Sequence, residues 1–249
     1  MKPELITSRV ALTAGMKGGT GKSTLSVLLA ANRRSRGRRV AVFDADANVG
    51  TTFLTLRDPT KSEADQDCLE SAVRFDLRDP DEAPQILRPL DIGADLSIVD
   101  MPGGSIGALE SVFGSEYANG LEELGHITHA SGRRITVLHM ITNDRSTAAS
   151  FDGFMDGFGD SADYVAVHNR GLVRRGEELT TWNSSQTRQR FLEFGGREIE
   201  LPAIPPVLLT NGLRGLVFPD VNEGIYAGHL RFLFNKEFAE QITQVEEWL

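Results

Sequence analysis

The sequence predicts an α/β fold, a single doubly wound domain with a mostly parallel sheet and helices on both faces. Three observations predict it. Residues 9–13 form a short apolar run that passes through a glycine-rich turn into the apolar-faced helical stretch 25–31. Further short apolar runs recur at 40–43, 95–100, 134–141 and 164–168, and a last strand is read at 197–202, with helical stretches or loops between them. At 249 residues, without internal repeats or a low-complexity tail, the chain suits one such domain with an ample core.

The first unit carries the strongest chemical signal. Between strand and helix stand Gly15, Met16, Lys17, Gly18, Gly19, Thr20, Gly21, Lys22, Ser23 and Thr24. A glycine turn entering a helix aims several backbone N–H groups into one hollow, with the positive end of the helix dipole behind it. A phosphate chain is the ligand that suits this arrangement. Lys22 is placed to reach the β- and γ-phosphates and the Ser23 hydroxyl to ligate Mg²⁺, with Gly18, Gly19, Thr20, Gly21 and Thr24 completing the cradle. A strict phosphate loop has Gly where this chain has Met16. The helix ends near 32–39, where Gly37 is a natural C′ residue and Arg33, Arg34, Arg36, Arg38 and Arg39 complement the dipole. The same arginines are a candidate patch for DNA phosphates or an acidic partner.

The strand 40–43 ends in Asp44 and Asp46, two carboxylates at i and i+2 beside the glycine turn. Such a site needs carboxylates to hold Mg²⁺ with its waters and to orient an attacking water. Residues 57–93 hold many charges with Pro59, Pro80 and Pro84. They read as a charged insertion, a strandless loop with one or two short helices near 65–73 and 82–87. The strand 95–100 ends in Asp100, whose carboxylate is placed to reach Mg²⁺. Pro102, Gly103 and Gly104 come next, a turn able to swing toward a γ-phosphate.

Residues 116–130 read as a helix. Its His126 and His129 stand at i and i+3 but lack a third ligand, so no metal site is expected there. A strand at 134–141 leads to a helix at 146–155, closed by the glycine- and acid-rich run 152–160. After the strand 164–168 comes Asn169, whose amide offers donors and acceptors to an adenine edge or serves as a turn residue. No Asn-Lys-x-Asp guanine box is present, which favours adenine. Residues 172–182 are basic, then mixed, and 184–194 read as a helix exposing Arg188 and Arg190. The last strand, 197–202, runs into Ile204, Pro205 and Pro206; Pro205 is either a wall of a base pocket or a loop proline. A closing helix is expected over 230–249, with Phe238, Ile242, Val245 and Leu249 on one face. Its Glu237, Glu240, Glu246 and Glu247 repel anionic lipid, so it is expected to pack on the domain or a partner, not on a membrane.

Composition bounds the function. With 26 basic and 35 acidic residues the formal charge is −9, so the chain as a whole is not built to coat DNA and any such contact needs a local patch. One cysteine, Cys68, rules out a disulfide framework and fits a reducing compartment. No run of 18 apolar residues occurs, and the polar residues 1–8 lead directly to the first strand, so the expected location is the cytoplasm.

Lys-Gly-Gly-x-Gly-Lys-Ser at 17–23, Asp-x-Asp at 44–46 and Asp-x-Pro-x-Gly at 100–104 succeed one another in order. Together they resemble the deviant Walker A, switch I and switch II elements of the ParA/MinD superfamily of P-loop ATPases, and most of all its ParA-type partition ATPases. The first position of that Walker A motif is often not Gly. The resemblance implies ATP and Mg²⁺ as ligands. It implies that Asp46 positions the hydrolytic water, that Asp44 holds the water and lysine network, and that Asp100 and Ser23 serve the metal. It implies further that Lys17 acts across an ATP-bound homodimer, and that Asn169 and Pro205 lie at the base. Such a lysine is a cation supplied in trans, a device worth about 10³–10⁵ in rate. The implied role is a switch that positions or partitions plasmid, chromosome or other cargo. It would be stimulated by a partner protein and contact DNA non-specifically through arginine patches. The alternative is a metabolic relative, an ATP-dependent amide- or ring-forming ligase. Lone Cys68 excludes the cluster-bearing branches, and scattered Tyr117, Tyr164 and Tyr226 exclude the tyrosine-tailed kinases.

Overall fold

In the computed structural model, which describes residues 8–114, 119–173, 178–205 and 238–249, the apolar runs lie side by side in one sheet. The strands are β1 (Ser8–Ala14), β2 (Val40–Asp44), β3 (Val73–Arg74), β4 (Leu96–Asp100), β5 (Arg133–Ile141), β6 (Ala162–Asn169) and β7 (Arg197–Leu201). Their order is β3-β2-β4-β1-β5-β6-β7, and every pairing between them is parallel. Parallel strands need covering on both faces, which is why the central runs are apolar without a polar side, whereas the edge strand β7 alternates buried Ile199 and Leu201 with Glu198 and Glu200. Alternate residues serve opposite layers. Val10, Leu12 and Ala14 enter one core with Ala41 and Phe43, while Ala11, Val40 and Val42 enter the other.

Helix α1 (Lys22–Ser35) covers the second layer with Leu25, Val27, Leu28 and Leu29. On the first layer lie α4 (Ser105–Phe113), α5 (Gly120–Ala130), α6 (Arg145–Phe158), α7 (Thr180–Asn183) and α8 (Gln186–Glu193). Aromatic rings pack there: Phe151 stands 5.3 Å from Phe191 and 6.0 Å from Trp182, centroid to centroid. Two short helices, α2 (Thr51–Leu56) and α3 (Arg88–Asp91), complete the described elements before β4. β2 and β4 lie to one side of β1, and β5 to β7 to the other. The strand order therefore reverses at β1, and a crevice opens there beyond the carboxyl ends of the strands.

Several expectations need correction. The segment 57–93 does hold a strand, β3, paired in parallel with β2 through Phe43–Val73 and Asp44–Arg74. No helix forms over 65–73; turns occupy it instead. The helix expected near 82–87 is a 3-10 turn, Ala83–Leu87, running into α3. The segment is anchored from within, because Cys68, Ala72, Phe75, Leu77, Ala83 and Ile86 are buried. A two-residue strand leaves no period to read, and irregularly spaced apolar residues hide the anchoring. Helix α4 is an addition to the elements read from the sequence. Helix α5 starts at Gly120, behind the Asn119 side chain, which accepts from the N–H groups of Leu121 and Glu122.

At the end of the chain, residues 206–237 lie outside the described residues, and with them most of the closing helix expected over 230–249. The described end consists of a short helix, Ala239–Thr243, and a 3-10 turn, Glu246–Trp248, not one continuous helix. Phe238, Ile242, Val245 and Leu249 nevertheless share one buried layer with α1, so this end packs on the domain. The arginine cluster also needs revision. Arg33 is only 2% exposed and pairs with Glu246, and Arg34 donates to the carbonyls of Val40, Cys68, Glu70 and Ser71. Both are tethers between α1 and its neighbours. The helix end itself is as expected: Gly37 takes φ +75°, and its N–H returns to the Arg34 carbonyl.

Candidate nucleotide site

The loop between β1 and α1 lies at the crevice. Gly19 and Gly21 adopt positive φ, +75° and +101°, where a Cβ is unfavourable. At Gly21 a side chain would also come within 2.4 Å of the Asn169 amide nitrogen. Open space surrounds Gly18 and Gly19. Helix α1 has no side-chain cap and no acid in its first turn, so its N-terminal N–H groups stay available to an external anion. Lys22 opens the helix, almost buried, and curls back so that Nζ donates to the Lys17 carbonyl at 3.1 Å. The Thr20 hydroxyl donates to the same carbonyl at 3.2 Å. Burial lowers the Lys22 pKa, while the charges of Asp100 and Asp46 oppose that.

The carboxylates meet through strand register. Asp100 is level with Thr13 of β1 and with Asp44 of β2. Its Oδ1 accepts from the Thr13 hydroxyl at 3.1 Å and its Oδ2 from the Thr52 hydroxyl at 2.7 Å. The Thr13 hydroxyl also lies 2.7 Å from that of Ser26, which ties the strand to α1. Asp44 accepts from the Phe53 N–H at 2.9 Å and the Asp46 N–H at 3.1 Å. Burial, and next the charge of Asp100, push Asp44 up to about 7. Burial also raises Asp100, against the pull of the Ser23, Thr52 and Thr13 hydroxyls and the Lys22 charge. Two desolvated carboxylates side by side are a site short of positive charge.

A hard divalent cation fits this donor set. Asp100 and Ser23 offer oxygen ligands, and the Ser23 hydroxyl is close enough to hydrogen-bond to the Asp100 carboxylate. A cation held by few protein oxygens, with phosphate and water supplying the rest, is the usual habit of Mg²⁺.

The other candidates surround this centre. Asp46 lies half-buried at the rim, and Arg78 Nη1 stands 3.2 Å from its Oδ1. Gly103 abuts the glycine loop so closely that a Cβ there would meet the Met16 carbonyl oxygen at 3.1 Å. Lys17 is exposed and paired with Asp144, the side-chain cap of α6. That ammonium, and then the Ser146 N–H, hold the Asp144 carboxyl well below the usual range. Asn169 ends β6, buried, with Nδ2 donating to the Thr20 carbonyl at 2.7 Å and Oδ1 accepting from the Gly171 N–H at 2.9 Å. Its amide therefore braces the loop. Pro205 lies exposed beyond β7, whose last residue, Leu201, is level with Asn169.

Ser23 and Thr24 lie in the first turn of α1, half-buried, as the spacing requires. His126 and His129 sit in α5, away from these residues. Arg188 and Arg190, expected to be exposed, are half-buried and paired: the first forks onto Glu198 and the second pairs with Asp156 and Asp152. Arg174 and Arg175 lie outside the described residues. Sequence reasoning missed Thr13, Thr52 and Arg78. A lone hydroxyl in an apolar strand is a faint signal for Thr13, whereas Arg78 has none short of spatial proximity.

The family described as the CobQ/CobB/MinD/ParA nucleotide-binding domain matches residues 11–187. No curated protein matches the chain in a sequence search. Among solved structures, a nucleotide-binding protein from Archaeoglobus fulgidus in complex with ADP is 17% identical, over 88% of this chain and 90% of that one, with a TM-score of 0.47. Cobyrinic acid a,c-diamide synthase from Mycobacterium smegmatis, with bound ADP and magnesium, is 18% identical over 76% and 81%, at 0.45. The MinD cell division protein of Aquifex aeolicus is 14% identical over 88% and 98%, at 0.42. Among the described residues no helix is long and apolar enough to cross a membrane.

Proposed function

The chain belongs to the CobQ/CobB/MinD/ParA nucleotide-binding family, and from that premise we propose that it is a ParA-type switch ATPase that dimerises on ATP and positions or partitions a cargo. The whole of 1–249 acts as one ATPase domain, with 57–93 as an insertion beside the site. Gly18, Gly19, Thr20, Gly21, Lys22, Ser23 and Thr24 cradle the phosphates. Asp46 positions the attacking water, and Asp44 keeps the surrounding hydrogen bonds in place. Mg²⁺, when bound at Ser23 and Asp100, supplies the charge that offsets the phosphates. Asn169 and Pro205 border the adenine side. A cytoplasmic location goes with a protein that consumes ATP.

The observation that carries the switch reading is the setting of Lys17. Its side chain is 58% exposed at the rim of the loop, where its Asp144 partner is itself 42% exposed. An exposed pair of this kind is worth only about 0–1 kcal/mol, so a second subunit could take the lysine over. In this reading the lysine is held at the rim by an exchangeable partner, as a cation destined for a second subunit needs to be. The family spans both kinds of protein, so the assembly state decides. With Asp46→Ala, gel filtration is expected to show a dimer with ATP and Mg²⁺ and a monomer without them. An elution position that ignores ATP would favour the amide- or ring-forming ligase instead.

DNA contact is secondary in this reading. Of the first cluster only Arg36, Arg38 and Arg39 remain at the surface. Arg36 stands 3.8 Å from Glu246, and Arg38 stands 3.6 Å from Asp95. DNA binding through them would fall steeply with salt. An activating partner protein remains part of the proposal.

A further inference from the structure

We infer that Arg78 is a specificity-determining residue that ties the two acidic loops of the site together and makes it prefer a triphosphate over a diphosphate. The inference rests on the nucleotide reading above. Arg78 comes from the charged insertion, 32 residues from Asp46 and 25 from Gly103. Its Nη1 lies 3.2 Å from Asp46 Oδ1, and its Nη2 donates to the Gly103 carbonyl at 3.1 Å. One planar fork thus joins the loop after β2 to the loop after β4, which an ammonium could not do with the same geometry.

The backbone beneath this fork is fixed. Leu77 is buried, and its N–H donates to the Ala45 carbonyl at 3.1 Å. Asp76 bridges Asp46, and its carboxylate accepts from the Arg78 N–H at 2.9 Å and from Asn48 Nδ2 at 3.1 Å. The insertion is stapled along the Asp44–Asp46 loop by these contacts, and Arg78 is what it presents to the crevice.

The tip, in contrast, is free to change partners. The Arg78 side chain is 44% exposed, so its pair with Asp46 adds little to stability. Gly103, its other partner, lies against the glycine loop, 3.6 Å from the Gly18 nitrogen by the position of an added Cβ. The guanidinium is therefore one peptide removed from the loop that cradles phosphates. Asp46 and Arg78 are both close enough for their charges to act on Lys22. Asp46 thus has one cation hydrogen-bonded to it at the rim, Arg78, and a second, Lys22, within electrostatic reach. Negative charge added at the rim meets Arg78; charge that stops deeper meets Lys22 alone. A terminal phosphoryl group is the chemistry that separates the two cases.

The test is calorimetric titration of the full chain, with Mg²⁺, against ADP and against a non-hydrolysable imido analogue of ATP. Arg78→Gln is expected to weaken the triphosphate analogue about tenfold, the order of a hydrogen bond to a charged group, and ADP less than twofold. Arg78→Lys should recover part of the loss, because the charge returns without the fork. The thermal midpoint of each ligand-free variant should match the wild type. Equal losses for both ligands, or no loss for either, would overturn the inference and leave the nucleotide reading intact. A wild-type chain that binds neither ligand would overturn both.

Discussion

Asp44 shows how one buried side chain can carry a measurable signature. Its pKa in the folded chain is about 7, against an ordinary 3.8, because burial and Asp100 disfavour its charge. The folded state therefore holds a proton that the unfolded chain releases. The stability due to this group is full below about pH 4 and lost as pH rises through 7. Buried His139 acts in the opposite sense: burial lowers it to about 4, so its contribution fades as pH falls from 6.5 toward 4. Between pH 6.5 and 8 the Asp44 effect outweighs the residual one of His139, and Asp100, also raised by burial, acts in the same sense as Asp44. Thermal melts of the ligand-free protein are expected to rise in midpoint as pH is lowered from 8 to 6.5, and Asp44→Asn should flatten that slope. An unchanged slope in the variant would place the proton elsewhere. Lys17 is tested differently. Lys17→Ala is expected to keep nucleotide binding but lose ATP-driven dimerisation, with turnover down by about 10³ or more. A steady-state phosphate-release assay that finds wild-type turnover would reduce Lys17 to a surface charge.

At the scale of elements, the glycine loop and the strands beside it were legible because each obeys a local rule. Positive φ at Gly19 and Gly21 is what a strand-to-helix phosphate turn demands, and β1, β2 and β4 to β6 announce themselves as short apolar runs. Gly21→Ala is expected to cost about 1–2 kcal/mol from backbone strain alone. The clash with Asn169 adds to that and should weaken phosphate binding more than stability. Denaturant melts and nucleotide titration of the same variant separate the two effects. β3 was illegible because its two residues owe their strand geometry to β2, not to any pattern of their own. The tail was half legible. The spacing of Phe238, Ile242, Val245 and Leu249 marks a buried face, but five helical residues cannot stand without that burial. Phe238→Ala is expected to destabilise the fold by about 3–5 kcal/mol in chemical denaturation. A loss under 1 kcal/mol would mean that the tail is dispensable.

At the scale of the molecule, a parallel sheet whose strand order reverses at β1 brings distant sequence motifs to one crevice. Order along the chain was enough to foresee that meeting of the glycine loop with Asp44, Asp46 and Asp100. It was not enough for the partners that the fold assigns to charges. Arg33 reads as a surface cation and is a buried tether; Arg78 reads as one charge among many and faces the site. Such pairings depend on side chains from remote segments, about which no local period informs. An acidic chain of formal charge −9 whose arginines largely have carboxylate or carbonyl partners is poorly suited to gripping nucleic acid broadly. The proposed role asks instead for a nucleotide and a second copy of the chain.

Whether the cradle around Lys22 holds a magnesium nucleotide is decided by equilibrium titration of ATP with Mg²⁺ into wild type and Lys22→Ala. The wild-type chain is expected to bind one nucleotide saturably and the variant none. Absence of binding to the wild type, or equal affinity in the variant, would contradict the nucleotide reading.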